Sequence, residues 1–70
     1  MHHKSERYSV TLVPPSIDAI DRLMEMTGLS KTDCINRATM ILAFLDKENR
    51  EGKDMVIRTP DGSIEKIHFI

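Results

Sequence analysis

Arg7, Ser9 and Thr11 stand at alternate positions in the run Arg-Tyr-Ser-Val-Thr-Leu, residues 7–12. Arg can hydrogen-bond guanine O6 and N7 through two N–H groups, and Ser and Thr can donate or accept at either base pair. Taken alone, the same alternation describes the solvated face of an edge strand. Ser30, Lys31 and Thr32 form a second group, placed where a helix is expected to begin. A helix N-terminus presents free N–H groups and the positive end of the dipole, which suits a phosphate, and Lys31 adds a full charge. Ser30 is equally suited to ordinary helix capping.

Other chemistry finds little support. Cys34 is the single cysteine, so no intramolecular disulfide can form, and it makes no metal-ligand spacing with His2, His3 and His68. It lies on an apolar helical stripe, where a small buried residue is expected, and no neighbouring base would activate it as a nucleophile. There is no paired-carboxylate arrangement and no phosphate-binding Gly loop. The expectation is therefore no enzyme, no cofactor and no metal. His2 and His3 are read as part of a flexible N-terminal arm, residues 1–6.

The elements that must position these residues follow from periodicity. Residues 7–12 read as a strand, with Tyr8, Val10 and Leu12 on the face opposite Arg7, Ser9 and Thr11. Pro14-Pro15 ends it. Its backbone groups need a partner, either the C-terminal segment or a second copy of itself. Residues 14–27 read as a helix with an apolar stripe of Ile17, Ile20, Leu23 and Met24, ended by Gly28. Asp18 and Asp21 suit its N-terminal turn. Met24 and Met26 are read as flexible core filling.

A longer helix is expected over 30–51, capped by Ser30 with Asp33 at its third position. Its stripe is Cys34, Ile35, Ala38, Ile41, Leu42 and Leu45, and Met40, Ala43 and Phe44 make it apolar nearly all round. Such a helix wants burial on more than one side. Asp33 and Arg37 are spaced for a surface ion pair. Residues 55–70 read as a hairpin closed by Pro60-Asp61-Gly62. Pairing Thr59 with Ser63 puts Met55, Ile57, Ile67 and Phe69 on one face, with Glu65 as a misfit. Arg58, Lys66 and His68, with Val56 and Ile64, take the other. The apolar face could cover the second helix, join dimers side by side or bind a partner.

With 70 residues the chain is one domain whose isolated core is marginal. With disulfide and metal excluded, oligomerisation is the expected source of further core. Net charge is −1, from ten basic and eleven acidic side chains, so attraction to nucleic acid is not general. Residues 1–13 carry Lys4 and Arg7 against Glu6, whereas 16–27 carry Asp18, Asp21 and Glu25 against Arg22. No apolar run approaches membrane-spanning length, and a single Cys without a signal peptide suggests a reducing cytoplasm.

The order strand, helix, Gly turn, helix, with Arg-Tyr-Ser-Val-Thr-Leu and the Gly-Leu-Ser-Lys-Thr segment at 28–32, resembles the ribbon-helix-helix (MetJ/Arc-type) family of DNA-binding proteins. The resemblance covers residues 7–48; the C-terminal hairpin is an addition to it. It implies an α+β fold in which two chains pair their strands antiparallel and intertwine four helices. The ribbon then enters the major groove. It implies base contacts from Arg7, Ser9 and Thr11, and phosphate contacts from Ser30, Lys31 and Thr32. The shared dimer core would be Tyr8, Val10, Leu12, Ile20, Ile35, Ala38 and Leu42. Val13 and Pro14 depart from the pattern, standing where a capping Ser or Thr would help the first helix.

The division expected is an arm at 1–6, a ribbon-helix-helix domain at 7–53 and a hairpin at 54–70. The function expected is a sequence-specific DNA-binding homodimer on double-stranded DNA, a transcriptional repressor or autoregulator, with dimers lining up on adjacent half-sites. The alternatives are an antitoxin or a partition or accessory DNA-binding protein of the same fold, and a protein-interaction module without a DNA role.

Overall fold

The computed structural model describes residues 4–68; His2, His3 and Phe69 lie outside them. It is a small α+β chain in the order α1 (Pro14–Thr27), α2 (Lys31–Arg50), β1 (Met55–Arg58) and β2 (Ile64–Ile67). Both helices and the hairpin fall where periodicity and turn chemistry place them.

α1 starts without a side-chain cap, because Val13 has no polar atom to offer. The cost is small. Pro14 and Pro15 have no N–H, which removes two of the donors a helix start leaves orphaned. The Val13 carbonyl accepts from the amides of Ser16 at 2.9 Å and Ile17 at 3.1 Å. With the helix beginning at Pro14, its first turn holds no acidic residue, so Asp18 and Asp21 do not meet the N-terminal dipole as expected. Gly28 ends the helix at φ 75°, and its N–H donates to the Met24 carbonyl. That left-handed backbone is open to glycine at little cost.

α2 is capped as its sequence suggests: the Ser30 Oγ accepts the Asp33 amide at 3.1 Å. The expected Asp33–Arg37 pair is not among the ion pairs of the described residues; those on α2 lie further along, Arg50–Asp46 at 2.9 Å and Lys47–Glu51 at 2.8 Å. Exposed pairs of this kind gain little over hydration, so spacing alone does not enforce one. After α2 the chain turns through Gly52, whose N–H donates to the Asn49 carbonyl.

β1 and β2 pair antiparallel in the register Met55–Ile67, Val56–Lys66, Ile57–Glu65 and Arg58–Ile64. The Thr59 amide donates to the Ser63 carbonyl at 2.9 Å, which closes the loop over Pro60, Asp61 and Gly62. Among the described residues the sheet has these two strands and no third.

Two expectations are not met within the single chain. Residues 7–12 form no strand within the single chain. A strand exists through its ladder partner, and the C-terminal hairpin, one of the two partners considered, does not pair with it. The hairpin does not blanket α2 in the single chain either. Packing between elements is confined to α1 against α2 and β1 against β2, apart from one marginal approach. Met40 and Phe44 on α2 remain 71% and 59% exposed.

The core is correspondingly thin. Ile20 and Cys34, from α1 and α2, are the buried side chains among the described residues. The chain exposes 6776 Å². A folded monomer of 8.0 kDa would expose about 4,500 Å², so roughly 2,300 Å² of surface is in excess. The radius of gyration, 15.1 Å, likewise exceeds the roughly 11 Å of a self-contained domain of this length.

Candidate nucleic-acid interface

Two neighbouring concavities lie between the N-terminal segment and the helices. The first is an apolar groove of about 260 Å³, where Leu12 meets Ile20 and Leu23 of α1 and Cys34, Ile35 and Ala38 of α2. It exists because Gly28 turns the chain back, so that the apolar stripes of α1 and α2 face each other at Ile20 and Cys34. Beside that pair the groove stays open. Four residues expected in a dimer core therefore share one apolar surface: Leu12, Ile20, Ile35 and Ala38. Ile20 is buried, Leu12 and Ile35 are half-buried and Ala38 is exposed. Tyr8, Val10 and Leu42, expected with them, are exposed.

The second concavity, about 360 Å³, is bordered by Arg7, Tyr8 and Val10 from the N-terminal segment and by Thr32, Ile35 and Asn36 from α2, with Glu6 at its edge. It brings Arg7 beside the first turn of α2. Ser9 and Thr11 do not border it and stand exposed, as do Ser30 and Lys31. The two expected groups thus share one recess, through Arg7 and Thr32.

The first turn of α2 divides its donors. The Asp33 amide is taken by the Ser30 hydroxyl oxygen and the Cys34 amide by the Ser30 carbonyl. The amides of Lys31 and Thr32 have no partner within the helix, as the start of a helix requires. Because Ser30 uses an oxygen lone pair in the cap, its own O–H proton remains available to a further acceptor. Asp33 places a carboxylate in the same turn, which favours the helix dipole and opposes an anion.

Asn36 was not singled out by the sequence, although it stands four residues after Thr32 and so shares its face. Its Nδ2 donates to the Thr32 carbonyl at 3.0 Å. Glu6 accepts the Tyr8 hydroxyl at 2.5 Å, and this hydrogen bond holds the phenol above its ordinary titration range. The Glu6 carboxylate is thereby engaged beside Arg7.

No group of metal-ligating side chains occurs among the described residues. No helix among them is long and apolar enough to cross a membrane. Comparison with protein-family models, with curated proteins and with solved structures finds no match.

Proposed function

We propose that the chain is one half of a ribbon-helix-helix homodimer that binds double-stranded DNA in a sequence-specific manner and acts in the cytoplasm as a repressor or autoregulator. The observation that carries this reading is the unpaired segment 7–12. Tyr8 and Val10 are 76% and 63% exposed, and no described segment of the chain pairs with the run that carries them. A second copy of the same segment supplies both the missing hydrogen bonds and a cover for those side chains. Pairing two such segments antiparallel leaves Arg7, Ser9 and Thr11 on the opposite face of a two-stranded ribbon, which the major groove admits.

The open groove from Leu12 to Ala38 fits the same assembly, since two copies facing each other across a two-fold axis would close it. Thr32 beside Arg7 fits a phosphate flanking the bases that Arg7 reads. The mechanism is occlusion of an operator, and no catalytic step belongs to it. A net charge of −1 implies few phosphate contacts and a modest salt dependence, because each neutralised phosphate adds about 0.9 to the slope of log K against log salt.

A selection of bound sequences from random duplexes tests this reading. Enrichment of a two-fold symmetric site supports it. Recovery of no enriched sequence from a folded dimer at low salt would overturn it in favour of a protein-interaction module.

A further inference from the structure

Asp61-Gly62, in the hairpin loop, is a dipeptide whose main chain can rearrange without an enzyme. The Gly62 nitrogen can attack the Asp61 side-chain carbon Cγ, because glycine has no side chain to obstruct the approach. As the N–Cγ bond forms, the carboxyl O–H group and the amide proton leave together as water. The five-membered imide then reopens by hydrolysis. Where water adds to the Asp61 main-chain carbonyl carbon, the bond from that carbon to the Gly62 nitrogen breaks. The chain now continues through Cγ, as isoaspartate. Nothing is oxidised or reduced, and the water lost is regained.

The closed hairpin opposes each requirement of that first step. The Gly62 N–H donates to the Thr59 carbonyl at 2.9 Å, so the proton that must leave is held. The Asp61 Oδ1 accepts from the Ser63 amide at 2.9 Å, from the Ser63 hydroxyl at 2.7 Å and from the Thr59 hydroxyl. These donors favour the carboxylate, a poor electrophile, over the acid that reacts. With the carboxyl held at about 2, the acid form at pH 5 is about sixty times scarcer than at the ordinary 3.8. Opening the loop releases these contacts together. Opening is within reach, because the sheet has two strands among the described residues and a two-stranded hairpin is marginal on its own.

We infer that Asp61-Gly62 is a latent modification site, guarded while β1 and β2 are paired and converted to isoaspartate when the hairpin opens. The conversion latches the opening. Routing the main chain through Cγ adds one carbon to the path between Thr59 and Ser63. The Thr59 amide and the Ser63 carbonyl, 2.9 Å apart across the three-residue loop, lose the spacing that closes it. The carboxylate that gathered the Thr59 and Ser63 donors then branches from a different carbon. A transient opening thus leaves a permanent mark on the molecule. None of these contacts involves a partner chain or DNA.

The full chain incubated at pH 5, in buffer and in concentrated urea, tests this. Digestion followed by electron-based fragmentation of the peptide carrying residue 61 separates isoaspartate from aspartate. Isoaspartate is expected to accumulate about tenfold or more faster in urea, since protection follows the fraction of time the loop is closed. Ser63→Ala removes one donor to Oδ1 and keeps the backbone amide, so in buffer it should modify faster than the unaltered chain. The chain modified in urea, purified and returned to buffer, should lack the cross-strand contacts between Val56 and Lys66 that the unmodified chain regains. Equal rates in buffer and urea, or no isoaspartate in either, overturn the guarded site. A Ser63→Ala chain with its strands paired and no faster modification overturns guarding by these contacts. Full return of the cross-strand contacts in the modified chain overturns the latch.

Discussion

Arg7 and Thr32 border one recess, so one residue of the N-terminal polar face lies near the first turn of α2. If Arg7 reads a guanine, its removal should flatten preference at that position, at about 1–3 kcal/mol of discrimination. We expect Arg7→Ala to lose preference between the selected site and a scrambled one while keeping weak, salt-dependent binding. Titration of both duplexes across a salt series measures this. Unchanged preference removes Arg7 from base recognition.

Ser30 has two separable roles, cap and phosphate donor. Ser30→Ala removes the acceptor for the Asp33 amide and should destabilise the fold by about 1 kcal/mol. Ser30→Asp keeps a capping acceptor but sets a negative charge where the phosphate would lie. Denaturation should therefore rank Ser30→Asp near the unaltered chain and Ser30→Ala below it. DNA affinity should be lowest for Ser30→Asp. Equal affinity in all three excludes phosphate contact at this turn.

Stability should depend on protein concentration. Ile20 and Cys34 are the buried side chains among the described residues, and the proposed homodimer would complete this core. Binding to the folded state then raises the melting temperature as concentration rises. Ile20→Ala should remove about 2–5 kcal/mol and shift melting strongly downward. Calorimetry over a wide concentration range checks both. A concentration-independent transition with monomer mass contradicts the dimer.

The hairpin loop should fail in acid. Asp61 is held at about 2, below the ordinary 3.8, by the Thr59 hydroxyl first and then by the Ser63 amide and hydroxyl. The Ser63 amide reaches its Oδ1 at 2.9 Å and the Ser63 hydroxyl at 2.7 Å. A folded value below the unfolded one means stabilisation that is complete above about pH 3.8 and lost as pH falls through about 2. Amide resonances of Thr59 to Ser63, followed by NMR from pH 5 to 2, should move in that window. Asp61→Asn should abolish the movement.

Much of the chain was legible because it is local. The limits of α1 follow from Pro14 and Gly28, the start of α2 from Ser30 and Asp33, and the hairpin register from Pro60-Asp61-Gly62. Each is set by hydrogen bonds between residues within about four positions of one another. Asp18 and Asp21 stand at the fifth and eighth positions of α1, beyond its first turn, so the N-terminal dipole role expected of them does not follow from the helix start that Pro14 marks. The candidate interface was legible as two separate groups. That Arg7, Thr32 and Asn36 border one recess was not.

The strand at 7–12 marks the boundary between the two kinds of information. Its alternation determined which side chains share a face, since that depends only on the two-residue period of an extended chain. Whether it becomes a strand depends on a partner for its N–H and C=O groups. Only the tertiary structure decided that neither the hairpin nor any other described segment of this chain provides one. The sequence likewise determined that α2 is apolar nearly all round. The fold decided that one side meets α1 at Cys34 while Met40 and Phe44 are left uncovered, because packing is settled by where other elements can reach and not by the helix itself.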